Sequence, residues 1–135
     1  MPKVIVLGSA CAVPDETHEN THLALPGPEP DSGFIQVDCA GRPVVRLRQA
    51  GLDFHRLTDL ILTHWHPDHA YGAPMLLMDM WLRGRQNPLT VNALPDTAGY
   101  MKHLMVAFGC EQWPGLFPIT YHEVEARPGA PVLEN

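Results

Sequence analysis

The sequence predicts an α/β layered fold, and three observations carry that reading. Short apolar or β-branched runs recur along the chain: KVIVLG (3–8), FIQVDC (34–39), LTDLILTH (57–64) and LTVNAL (89–94). Each has the length and composition of a strand. Between the later runs lie segments with helical spacing, punctuated by proline and glycine where helices start and stop. Strand and helix then alternate, as they do where helices cover a largely parallel sheet.

Taken in order, residues 3–8 are brief and stopped by Gly8, as a buried strand would be. Residues 9–20 are polar, hold Pro14 and read as a loop. THLAL (21–25) fits a second strand, and PGPEPDSG (26–33) is a turn by composition. Residues 34–39 alternate apolar and polar positions like a half-buried strand. Val44–Ala50 reads as a short helix stopped by Gly51. LTDLILTH is a buried strand by its apolar content, and 68–83 a helix interrupted near Gly72 and Pro74. LTVNAL is a strand, the next helix opens at Pro95 or Asp96 and closes at Gly109, and ITYHEVE (119–125) is a final strand. Met75, Met78, Met80, Met101 and Met105 fall at near-helical spacings and are read as core.

With 135 residues, 45% apolar and 18% charged, the chain fits one modest domain over 1–135 and excludes wholesale disorder. Nine Lys+Arg against fifteen Asp+Glu give a net charge of -6. That balance excludes binding of polyanions through overall charge, which needs clustered cations. Arg42, Arg46, Arg48 and Arg56 read as a solvated helix face. No run approaches the ~18 apolar residues of a membrane span, and Val4–Leu7 is too short for a signal core. Cys11, Cys39 and Cys110 share no CxxC spacing and read as free thiols. The expectation is a soluble, cytoplasmic protein without membrane contact.

The chemistry concentrates in THWHPDH (63–69), directly after a strand. On extended backbone, side chains two apart face the same way, so His64 and His66 can converge on one ion. The chain then turns at Pro67, placing Asp68 and His69 at the mouth of the next helix, in reach of a second ion. Imidazole and carboxylate suit Zn2+, and also Mn2+ or iron. A metal pair about 3.5–4 Å apart holds a bridging hydroxide at neutral pH. His18, His22, His55, His103 and His122 are isolated and read as ordinary surface or core histidines.

THWHPDH resembles the H-x-H-x-D-H signature of the metallo-β-lactamase superfamily, whose mostly hydrolytic members fold as an αββα sandwich. The resemblance implies that His64 and His66 are ligands of a first metal, and Asp68 and His69 of a second. It also makes Asp68 the catalytic residue that positions the bridging hydroxide. It extends to VIVLGSACAVP, ENTHLAL, FIQVDCAG, AGLDFHRLTDLILTH and HAYGAPMLL. LGSACAVP followed by N-T-H is most similar to the ribonuclease Z and phosphodiesterase branch, although Glu19 stands where that branch has arginine and His22 stands near its serine position. Asp38 matches the strand-end aspartate that fixes a ligand imidazole, a role with a physical reason, since ligating histidines donate their other N–H to a carboxylate or carbonyl. A simple turn residue is the alternative at Asp38.

The resemblance covers the N-terminal half of the superfamily domain. The later histidines, His103 and His122, lack the context of the family's downstream ligands. With four motif residues alone, each ion has about two protein ligands, fewer than a zinc site takes. One sheet face is expected to lie open, to be covered by a C-terminal half or by a homodimer packing sheet on sheet. The implied activity is metal-dependent hydrolysis of a small phosphodiester or RNA by activated water. Lactonase, thioesterase or β-lactam hydrolase activity on the same fold is the alternative, as is a non-catalytic metal-binding fragment.

Overall fold

The computed structural model describes residues 1–133. Six strands form one sheet in chain order: β1 (Ile5–Gly8), β2 (His22–Pro26), β3 (Phe34–Val37), β4 (Leu57–Leu62), β5 (Leu89–Ala93) and β6 (Ile119–Glu123). The helices are α1 (Pro43–Gln49), α2 (Pro67–Ala70), α3 (Ala73–Leu82) and α4 (Pro95–Ala107).

The first three strands pair antiparallel, and β3 to β6 run parallel. Each parallel step is a crossover through a helix, and such crossovers are right-handed, so α1, α3 and α4 fall on the same face. Their mutual packing agrees, with α3 lying against both α1 and α4. Between helices and sheet sits the core, which includes Leu47, Leu60, Leu62, Leu76, Leu77, Met80, Val91, Met101 and Met105.

Every element read from the sequence is present, with shifted boundaries. The interruption near Gly72 is a true break: α2 ends at Ala70, and Gly72 caps α3. The strand LTDLILTH ends at Leu62, so Thr63 to His66 lie beyond the sheet. Two single 3-10 turns, Phe54–Arg56 and Cys110–Gln112, carry no periodicity to reveal them. Among the methionines, Met75 departs from the core reading: it faces solvent in the first turn of α3, half exposed.

Among the described residues no helix lies over the opposite sheet face. Register aligns Val6, Leu23, Val37 and Ile61 across β1 to β4, and Leu25 and Ile35 form a second apolar row. Across β5 and β6 the same face turns polar. Asn92 donates to Asp59 Oδ1 at 3.0 Å, and its own Oδ1 lies 2.9 Å from His122 Nδ1. Among the described residues no helix is long and apolar enough to cross a membrane.

Candidate metal centre

Strand β4 delivers the histidine cluster at its C-terminal end. Past Leu62 the chain leaves the sheet; His66, in extended conformation (φ -78, ψ 142), caps α2, and Pro67 occupies the first helical position, where its missing N–H costs nothing. His64 and His66 lie side by side, with ring centroids 4.5 Å apart and His64 Nε2 3.0 Å from His66 Nδ1. The single turn of α2 brings the other two together, with His69 Nε2 3.3 Å from Asp68 Oδ2. The rings of His64 and His69 are 4.2 Å apart, which joins the two pairs into one patch.

Asp38 reaches this patch because β3 runs parallel beside β4. Its N–H donates to Ile61 O at 2.8 Å, which sets its side chain next to Thr63. Its φ of 59 lies in the left-handed region, which aspartate tolerates better than most residues. The carboxylate faces His69 Nδ1 at 2.7 Å and accepts from Thr63 N and Thr63 Oγ1, each at 2.9 Å. Behind it, Cys39 N–H donates to His69 O at 2.7 Å and Gly72 N–H to Cys39 O at 2.9 Å, clamping α2 to the loop after β3. Gly72 permits this approach: a Cβ there would lie 3.0 Å from Cys39 O.

The donor spacing bears on metal binding. Two tetrahedral ligands at bond lengths of ~2.0–2.1 Å sit about 3.3 Å apart, close to the 3.3 Å of the Asp68–His69 pair and the 3.0 Å of the His64–His66 pair. Among the described residues, however, no three His, Cys, Asp or Glu side chains form a group able to hold one ion. The chain offers two pairs of donors and completes neither.

Two residues beside the patch gave no signal of their placement in the sequence. Glu19 is buried and pairs with Arg42 Nε at 2.9 Å and with Arg46 Nε at 3.7 Å, so these two arginines are partly spent inside the fold. His22 is fully buried in β2, and neither ring nitrogen has a hydrogen-bond partner among the described residues. Burial pushes its pKa down to about 4; Glu19 and Asp38 oppose the shift and Arg46 adds to it. Trp65, between the two motif histidines, turns the other way and stacks on Tyr100 of α4. A cavity of about 750 Å³ opens at the far end of the sheet, lined by the loops around Pro28 and Asp53, and touches none of the motif residues.

The sheet with helices on one face and a histidine–aspartate patch at a strand end define a class, and comparison agrees with it. Residues 26–131 match the model of the metallo-beta-lactamase superfamily, and the chain belongs to that superfamily. Ribonuclease Z of Salinibacter ruber is 40% identical over 123 residues, which is 91% of this chain and 36% of that protein. In structure, human tRNase Z, short form, superposes with a TM-score of 0.76 at 22% identity, over 95% of this chain and 47% of that one. Zn2+-bound PqqB from Methylobacterium extorquens superposes with a TM-score of 0.62 at 15% identity, over 90% and 49%. The chain thus spans between a third and a half of the length of these relatives, and its fold corresponds to the N-terminal αβ half of the metallo-β-lactamase sandwich.

Proposed function

We propose that this chain carries the N-terminal half of the metal centre of a ribonuclease Z-like hydrolase. The observation that supports it most is the pairing of donors, His64 with His66 and Asp68 with His69, around a common carboxylate, Asp38. Zn2+ suits these donors best; Mn2+ and iron accept the same ligand types. A bound metal pair supplies activated water and offsets charge on a phosphodiester. His64 and His66 would hold one ion, Asp68 and His69 the other, and Asp68 would orient the attacking water. Asp38 keeps His69 turned toward its ion.

Each pair needs further donors. We assign these to a second αβ half, or to a second copy of the chain, lying over the apolar rows Val6–Leu23–Val37–Ile61 and Leu25–Ile35. Light scattering behind size exclusion distinguishes the two: a stable monomer at micromolar concentration removes the second copy.

The name of the Salinibacter relative supports an RNA substrate, while the net charge of -6 favours a small phosphodiester. Turnover of a precursor transfer RNA and of bis-p-nitrophenyl phosphate by the zinc-loaded protein decides between them, with H66A and D68A alongside. Phosphodiester turnover lost in both variants is the expected result. Turnover of a lactone, thioester or β-lactam without phosphodiester turnover overturns the reaction class, and bound metal with no turnover at all leaves a metal-binding module.

A further inference from the structure

Thr63 stands where one hydroxyl meets two functional groups. Its Oγ1 lies 2.9 Å from each oxygen of Asp38 and 3.0 Å from Nδ1 of His64. A threonine hydroxyl has one proton to give, and a carboxylate can only accept. The carboxylate also receives the Thr63 N–H and faces Nδ1 of His69, so it is the acceptor at the end of every bond that reaches it. The hydroxyl proton must point at Asp38, since otherwise unprotonated oxygens would face one another at 2.9 Å.

The rest of the chain of protons follows. Toward His64, Oγ1 can then only accept, so the proton on that ring sits on Nδ1 and its Nε2 is bare. In the metal-free protein Nε2, 3.0 Å from His66 Nδ1, accepts a hydrogen bond from the N–H of that ring. All donors run one way, from His66 to His64 to Thr63 to Asp38. We infer that Thr63 is a positioning residue, which through its hydroxyl fixes His64 in the Nδ1–H form and presents Nε2 as the free donor atom. One carboxylate thereby orients a histidine of each pair, His69 directly and His64 through Thr63.

This inference takes the ligand role of His64 from the proposed function, but the tautomer is a property of the chain alone. It is read from the ring nitrogen shifts of His64 by long-range 1H–15N NMR on chelator-treated protein. The expected wild-type spectrum has a protonated Nδ1 and a bare Nε2; T63S keeps it, and T63V, which removes the hydroxyl at similar volume, shifts His64 toward the Nε2–H form that imidazole prefers in water. A merely structural threonine would leave the tautomer unmoved. Wild-type His64 protonated on Nε2, or T63V still protonated on Nδ1, overturns the inference, and the wild-type spectrum decides even where T63V fails to fold. Zinc titration of wild type and H64A separates this from the ligand reading: the expected tautomer with zinc binding that H64A leaves undiminished defeats the ligand role of His64 and leaves the role of Thr63 standing.

Discussion

The Asp38 carboxylate lies 2.7 Å from His69 Nδ1, across 31 positions of sequence, joining the end of β3 to the helix that follows β4. A hydrogen bond of this kind fixes which ring nitrogen faces outward and raises the basicity of that nitrogen. In this chain it is Nε2 that is left facing Asp68.

Replacing Asp38 by Asn keeps a residue at home in the left-handed region (φ 59) but removes the charge. Zinc affinity is expected to fall about 10–100-fold, as measured by competition with a chromophoric chelator. D38A should lose at least as much and also stability, because alanine is strained at that φ. Unchanged zinc affinity in D38N would refute the role.

His22 makes stability depend on pH with a definite sign. Its folded-state pKa of about 4 lies below the ordinary 6.5. Between these values the unfolded chain binds a proton that the folded chain refuses. The contribution is therefore fully present above pH ~6.5 and is lost as pH falls toward ~4, at up to about 1.4 kcal/mol per unit. Urea unfolding at a series of pH values should show this slope in the wild type and a shallower one in H22L. Equal slopes would mean that other groups govern acid sensitivity.

Arg85 is nearly buried and donates to five carbonyls, those of Phe54, His55, Leu57, Asn87 and Pro88, with Phe117 beneath its guanidinium. It ties the approach to β4 to the approach to β5, and so holds the strand that carries the site. Lysine has three donors and no planar fork. R85K should lose about 2–4 kcal/mol of unfolding free energy, read from the urea midpoint, with the zinc stoichiometry of the remaining folded protein unchanged.

Two glycines should respond oppositely to alanine. At Gly72 a Cβ meets Cys39 O at 3.0 Å and Ala40 backbone at 3.1 Å, all rigid atoms, so G72A is destabilising and shifts the His69 ring resonances. At Gly99, inside α4, a Cβ meets nothing within 4 Å. G99A should stabilise by about 0.5–1 kcal/mol. Thermal melts of the two variants check both signs.

The sequence showed what depends on local periodicity and spacing. The strand runs, the helix break at Gly72 and the four motif residues were all legible, because each is written within a few consecutive positions. The boundary at Leu62 was not, since Thr63 and His64 continue the composition of a strand while the backbone is already leaving the sheet. Arg85, in the polar stretch RGRQN, has the composition of a surface loop, and only the fold brings five carbonyls around it. His22 and Glu19 were equally opaque: both lie buried beside α1, whose Arg46 interacts with each, which no spacing announces. Thr63 was visible in THWHPDH, yet its contact with Asp38 is a consequence of parallel pairing between β3 and β4.

The most direct test of the metal centre is zinc stoichiometry and affinity of the chain, beside two double variants, H64A/H66A and D68A/H69A. Two donor pairs predict about two ions per wild-type chain once a second half or second copy supplies the remaining donors, with one lost in each double variant. Zinc binding that neither double variant diminishes would contradict the assignment of these four side chains as metal ligands, whereas a wild-type chain that binds no zinc is the incomplete half of a centre whose other donors lie elsewhere.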